Sequence, residues 1–421
     1  MESSNIPGFY KLSMEKRREI LKKFANLTEE ELDLIRNMGA LGEHLADHMI
    51  ENVVSVMEVP MGIAVNFLIN DRDYLIPMAI EEPSVVAAAS NAAKMARVKG
   101  GFKAIATDPI MIGQIEVSGM PDPFGAKFRI LENKKKLLEI ANQQDPILVK
   151  LGGGAKDIEV RILDEKEPMI VVHILVDVRD AMGANAVNTM AEALAPYIAE
   201  LSKGKVRLRI LSNLATYRLA RAYAVFDKDA IGGPDVVDGI LEAYKFAMLD
   251  PYRATTHNKG IMNGIDAVLI ATSNDWRAIE AGAHAYAAMN GYKSLTKWEK
   301  NEDGDLVGYI ELPMAVGIVG GATSTHPKAK IARKILNVSS AQEFAGVLAA
   351  VGLAQNFAAI RALATEGIQR GHMELHARNV AISAGAVGDE IDLVANELVR
   401  QKKIRLDVAQ EILKKIRETS S

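Results

Sequence analysis

The chain contains no cysteine. Disulfides, cysteine–zinc sites and any thiol nucleophile are therefore excluded. It also lacks a surplus of charge of one sign. Lys and Arg number 50 against 54 Asp and Glu, a formal net charge of −4, so there is no electrostatic case for a nucleic-acid partner. No apolar run is read as approaching the roughly 18 residues that span a bilayer. The first residues, MESSNIPGFYKLSMEKRREI, lack the short apolar core of a signal peptide. Cytoplasm is the default compartment, with no membrane partner. No G-x-G-x-x-G occurs, so the Rossmann fingerprint is missing. Internal repeats and low-complexity stretches are absent too.

What is present is a globular composition. The 421 residues are 49% hydrophobic, enough for two or three domains around a large core. Residues 13–37 have helical patterning, with Ser13 and Thr28 as N-caps and Thr28-x-x-Glu31 as a capping box. Residues 51–70 are strand-rich with a break at Pro60, and a turn at 70–73 leads to a second strand, 74–80. Pro83 then suits the first position of a small-residue helix ending at Gly100-Gly101, which reads as central and buried.

From residue 108 the pattern changes. Strand 110–117 is followed by strand 126–131, helix 133–142, strands 157–163 and 169–176, helix 184–202 and strand 205–211. Counted from strand 126–131, this is the βαββαβ order of a ferredoxin-like unit, inserted over residues 108–212. Beyond it the chain returns to helix-forming sequence. A long alanine-rich helix spans 339–370, stopped by Gly371, and short helical segments fill the tail.

The densest chemistry lies in DPYRATTHNKGIMNGIDAVLIATSNDWRAIEAGAHAYAA, residues 250–288. Gly260 and Gly264 read as loop before a buried strand, 267–271, and Asn274-Asp275 opens a helix. Lys259 and Asp275 thus flank a buried element, either as a functional pair or as an ordinary capped loop. Glu82, beside Glu81, complements a helix dipole or is a general acid held protonated by burial. Lys259 is a solvated surface lysine or an oxyanion stabiliser. Asp275 is an N-cap, a partner of the lysine, or both. His372 and His376 stand four apart, as do His44 and His48, but without H-E-x-x-H, so no metal is expected. His257 and His284 read as structural. DVRDAMGAN follows a strand and opens a helix. Its Gly183, Ala184 and Asn185 are a simple strand–helix turn or an anion-binding one.

HNKGIMNGID followed by NDWRA, with EEPSVVAAAS, DAMGANAVNTMAEA, VGGAT and LATEGIQRGHM, resembles class II 3-hydroxy-3-methylglutaryl-coenzyme A (HMG-CoA) reductases of bacteria and archaea. The resemblance runs from ENVV at 51 to LHARN at 375. It implies an α+β fold. Residues 1–107 and 213–372 would form a large, mostly helical acyl-CoA-binding and dimerisation domain. Residues 108–212 would bind NAD(P), and 373–421 would be a helical flap. The implied reaction reduces HMG-CoA to mevalonate and coenzyme A in two hydride transfers.

By the same resemblance Glu82, Lys259 and Asp275 are catalytic, and His376 protonates the departing thiolate. Ser84, Arg253 and Asn263 meet the substrate. Asp180, Met182, Gly183, Ala184 and Asn185 meet the cofactor. Asp145 sits where an NADH-using relative has an aspartate on the adenosine ribose, so NADH is expected over NADPH; by pattern alone Asp145-Pro146 is a helix-stop turn. A homodimer or a multiple of one is implied. Two departures stand out: Ser55 replaces a glycine common in the family, and Tyr10-Lys11 stands where some relatives carry an arginine for coenzyme A. An enzyme degrading mevalonate and a non-catalytic acyl-CoA-binding protein on the same fold remain as alternatives.

Overall fold

The computed structural model describes residues 3–39, 41–365 and 368–419, and the side chains of these except 368–375 and 419. The chain opens with helices α1 (Met14–Phe24), α2 (Glu29–Arg36) and α3 (Glu43–Asp47). Ser13 caps α1 by accepting from Lys16 N, and Thr28 with Glu31 forms a complete capping box on α2. Residues 51–60 carry no regular structure.

Strands β1 (Met61–Ile69) and β2 (Arg72–Ala79) pair antiparallel through Asn70-Asp71, both at positive φ. Alternation splits this hairpin. Val65 and Leu75 face the N-terminal helices, while Ala64 and Ile76 face the main core. Helix α4 (Val85–Arg97) starts after Ser84, so Pro83 precedes its cap rather than opening it. The fully buried alanines 89, 93 and 96 let α4 lie close on the sheet. Strand β3 (Phe102–Ala106) follows.

The inserted unit is β4 (Ile110–Ser118), α5 (Pro123–Glu132), α6 (Lys134–Asn142), α7 (Pro146–Lys150), β5 (Gly154–Asp164), β6 (Met169–Asp177), α8 (Ala184–Ser202) and β7 (Lys205–Ser212). Its sheet runs β5-β6-β4-β7, all antiparallel, the ferredoxin-like arrangement. One expectation is corrected. Residues 126–131 are helix, because Asp122 accepts from Gly125 N and Pro123 occupies the first turn. Buried Ala126 and Ile130 then share one helical face.

After β8 (Leu219–Phe226) come α9 (Pro234–Leu249), α10 (Pro251–Ala271) and α11 (Trp276–Ala288), then β9 (Thr296–Lys300) and β10 (Leu306–Pro313). The larger sheet has the order β2-β1-β3-β8-β10-β9. It was not anticipated in a part of the chain read as mostly helical. Helices α12 (Gly321–Thr325), α13 (Pro327–Leu336) and α14 (Ala341–Ala364) precede the tail helices α15 (Ile368–Ser383), α16 (Glu390–Gln401) and α17 (Leu406–Thr419).

α14 is long and apolar enough to cross a bilayer, contrary to the sequence reading, but 67% of its most apolar window is buried inside the protein. It is a core helix laid over the sheet. Gly371 does not stop it; α14 ends at Ala364, and Gly371 lies within α15. The tail helices close on their own apolar cluster, including Ala377, Val394, Leu398 and Leu413, separate from the main core.

Candidate active site

The loop-and-strand expected at 260–271 is one continuous helix, α10, capped by Asp250. Gly264 marks close packing rather than a loop, whereas a Cβ at Gly260 would meet nothing within 4 Å. A Cβ on Gly264 would meet Gln355 Cβ of α14 at 2.9 Å. At about 100° per residue, Thr256, Lys259, Asn263 and Asp266 fall on one stripe. That stripe is the less buried side, while His257, Asn258, Ile261 and Ile265 face the core.

The stripe meets the loop before α4. Lys259 Nζ donates to Glu82 Oε2 at 2.8 Å, and Asn263 Nδ2 reaches the same oxygen at 3.4 Å. In the single chain the Glu82 side chain is 39% exposed and that of Lys259 58%, so the burial expected of Glu82 is not supplied by its own chain. Two residues on, Ser84 sits at φ 76, and its Oγ is buried without a partner. A left-handed serine with an orphaned hydroxyl is backbone strain of the kind found at functional sites. Arg253 lies about a third of a turn round α10 from Lys259. It is half-buried, burial holds it below the usual arginine range, and its guanidinium has no partner among the described residues.

Asp275 is placed differently from the expectation. It caps α11 through Ala278 N at 3.1 Å and faces Arg277 at 3.4 Å. No bond from Lys259 reaches it among the described residues, because α10 runs about 18 Å from Lys259 to its end at Ala271. His376 is exposed on α15 and has no bond to Glu82, Lys259 or Asp275 among the described residues. His372 lies outside the described residues. The other spaced pair is stacked ring on ring, with His48 Nδ1 on the His44 carbonyl at 2.7 Å. His257 is buried among Ser294, Thr296 and Asn356, and burial lowers its pKa to about 3; it is a neutral structural group.

Asp266 and Glu280 were missed. Asp266 Oδ1 is buried with no donor, and the Glu280 carboxylate lies against it. Two carboxylates in contact bond only when one carries a proton. Burial first, then Glu280, pushes the Asp266 carboxyl up to about 9. Glu280 in turn meets His284 Nε2 at 2.7 Å, and His284 Nδ1 meets the Tyr292 hydroxyl at 2.7 Å. The signal was the seven-residue spacing from Lys259 to Asp266. It carried meaning only on an unbroken helix.

A pH prediction follows. Asp266 takes up a proton on folding, so its contribution is complete below about pH 4 and is lost as pH rises through about 9. Asp266→Asn needs no proton. Its melting temperature relative to wild type should therefore rise between about pH 5 and pH 8.5. A gap that stays constant with pH would show that Asp266 is ionised in the fold.

In the inserted unit, Gly183 adopts φ 95 before α8, and a Cβ there would lie 2.4 Å from Val178. The backbone N–H groups of Gly183, Ala184 and Asn185 have no partner among the described residues, while Ala181 just before them bridges to Val319. Asp180 is partly spent, since its Oδ1 accepts from Ala341 N at 2.8 Å. Asp145 caps α7 through Oδ1 and Leu148 N at 2.9 Å, which makes it a helix start rather than a helix stop. A cleft of about 1320 Å³ adjoins the C-terminal end of α10, with Ile270 and Ser273 on its wall and Arg17, Arg18, Lys94 and Lys328 among its charged residues.

Comparison with known proteins places the chain in a family. The family described as hydroxymethylglutaryl-coenzyme A reductase matches residues 13–377. The 3-hydroxy-3-methylglutaryl-coenzyme A reductase of Archaeoglobus fulgidus is 62% identical over 416 residues, covering 99% of this chain and 95% of that protein. A probable reductase of the same name from Borreliella burgdorferi is 37% identical over 423 residues, covering 97% and 94%. The solved Streptococcus pneumoniae enzyme superposes with a TM-score of 0.83 at 42% identity, covering 97% of this chain and 99% of that one. A class II structure from the same organism, bound to NADPH in open conformations, gives 0.81, covering 96% and 100%. The chain belongs to the hydroxymethylglutaryl-coenzyme A reductase family.

Proposed function

We propose that the protein reduces HMG-CoA to mevalonate and free coenzyme A, using reduced nicotinamide cofactor. The observation that carries this is the Lys259–Glu82 pair with Asn263 beside it and the unpartnered Ser84 hydroxyl two residues on. Reduction of a thioester to an alcohol places negative charge on the carbonyl oxygen at both stages. The Lys259 ammonium stabilises that oxygen, and Glu82 supplies a proton to it. Asp275 keeps one oxygen free of its cap and tunes the pair. Arg253 is suited to the substrate carboxylate, and Ser84 and Asn263 to its hydroxyl. His376 gives a proton to the coenzyme A thiolate as the hemithioacetal collapses, a task suited to an imidazole near neutral pH. The cleft beyond α10 takes the coenzyme A arm.

The unpaired N–H groups of residues 183–185 and the glycine-only turn at 183 fit a pyrophosphate. When bound, the nicotinamide supplies hydride. The NADPH on the pneumococcal relative supports this class of cofactor. Residues 108–212 form the cofactor domain, the two segments around them the acyl-CoA domain, and 373–421 the flap. Ile50, Val54 and Met57 are exposed in the irregular 51–60 segment. A second copy covering them makes a homodimer, checked by light scattering. With α14 buried in the core, the enzyme is read as cytoplasmic.

The test is cofactor oxidation with HMG-CoA and identification of mevalonate as product. No turnover with either NADH or NADPH would sink the reading. The finer choice is NADH. The second oxygen of Asp145 has no partner among the described residues; it can accept from a ribose 2′-OH and repels a 2′-phosphate. Wild type should show the higher kcat/KM with NADH, and Asp145→Ala should narrow the ratio. A wild-type preference for NADPH would end this assignment.

A further inference from the structure

The inserted unit joins the body through a neck of two adjacent connections, 107–109 and 213–218. Thr107 N donates to Leu219 O, and Thr107 Oγ1 to Tyr217 O. Arg218 sits in this neck with 4% exposure. Its guanidinium has no carboxylate partner among the described residues. It donates instead to backbone carbonyls from two places: Ala181 and Met182 at 3.2 Å, and Val316. The first two belong to the turn before α8. Val316 belongs to the body, and the next residue, Gly317, donates its N–H to Asn274 Oδ1 at 2.9 Å. Asn274 immediately precedes Asp275. Ile318 N also donates to Asp180 O at 2.9 Å.

We propose that Arg218 is the positioning residue that sets the dinucleotide turn, residues 181–185, against the catalytic turn, residues 274–275. The proposal rests on the reading of residues 182–185 as the cofactor turn. A trans peptide points its C=O and N–H in opposite directions. By drawing the carbonyl of Met182 inward, Arg218 turns the N–H group of Gly183 the other way, where no described protein group meets it. The planar fork is needed for this. One guanidinium bridges three carbonyls on two segments, whereas a lysine ammonium is a point donor on a flexible stem. The same bridge fixes how far the turn stands from Asn274-Asp275, and so where a bound cofactor's reactive end lies relative to Asp275. A misplacement of about 1 Å costs on the order of 10²-fold in rate.

The experiment compares Arg218→Lys, Gly317→Ala and Asn185→Ala with wild type. A Cβ at Gly317 would stand 2.6 Å from Met182 N, so that variant displaces the same turn from its other side even if Arg218→Lys folds poorly. KM for NADH, NADPH and HMG-CoA, kcat, ADP-ribose affinity and melting temperature are measured for each. Arg218→Lys and Gly317→Ala should raise KM for both cofactors about 10-fold or more and lower kcat, with KM for HMG-CoA within about two-fold. Equal shifts in all three KM values, or losses that follow only the folded fraction, would overturn the positioning role. Loss of ADP-ribose affinity in Asn185→Ala together with unchanged cofactor KM in the other two would overturn it while leaving the cofactor turn standing. Unchanged affinity in all three variants would overturn the cofactor-turn reading itself.

Discussion

Replacing Lys259 with alanine should leave a folded protein with turnover of HMG-CoA reduced by about 10²-fold or more. The fold should persist because the side chain is 58% exposed and its one ion pair, with Glu82, is itself part-exposed. Such pairs contribute little to stability. Turnover should fall because Lys259 is the one cation bonded to Glu82 among the described residues. Asn263 stays beside Glu82 but carries no charge. The measurement is steady-state oxidation of cofactor by the purified variant, with its melting temperature and HMG-CoA affinity recorded alongside. More than about a tenth of wild-type turnover would remove Lys259 from the oxyanion role.

The second large effect concerns the tail. Ending the chain after Thr365 should give a folded protein that binds HMG-CoA but reduces it at least about 10²-fold more slowly. α15, α16 and α17 bury their apolar residues against one another, in a cluster distinct from the main core. The body therefore loses few of its own buried contacts. On the proposed function, what it loses is His376 as proton donor and the proposed flap, which would open for cofactor exchange between the two hydride transfers. His376→Gln separates these roles. Mevaldehyde, a free aldehyde, expels no thiolate, so its reduction should survive in His376→Gln and fall in the truncated protein. Equal losses on both substrates in His376→Gln would remove the leaving-group role, and an unfolded truncation product would make the tail part of the core.

How far the sequence could be read differs from element to element. The capping box at Thr28, the Asn70-Asp71 hairpin and the order of the inserted unit were legible because local chemistry decides them. The α10 helix was not. Gly260 and Gly264 are poor helix formers, and only the distant α14 explains why a residue without Cβ stands at 264. Once α10 was read as a loop, the stripe of Lys259, Asn263 and Asp266 could not be seen. Strand β8, LARAYAVF, does alternate buried and exposed residues. Its alanines hid that signal, since alanine fits helix as well as core. Glu82, Lys259 and Asn263 converge in one chain. Asp275 and His376 do not meet Lys259 or Glu82 in the single chain: Asp275 caps α11 and His376 is exposed on α15.

The two-stranded neck has a consequence for how the chain folds. Strands β3 and β8 are neighbours in the large sheet, with Ala106 opposite Ala220, yet the whole inserted unit is synthesised between them. Left unfolded, that stretch is a long loop, and closing it costs entropy before any pairing contact is made. Folded first, its first and last strands, β4 and β7, are already paired side by side, and they deliver both ends of the loop to the same place. The central sheet of the body is therefore nucleated by a unit that is not part of it, and a lesion in the insert's own core would surface as slow or failed assembly of a sheet it never touches.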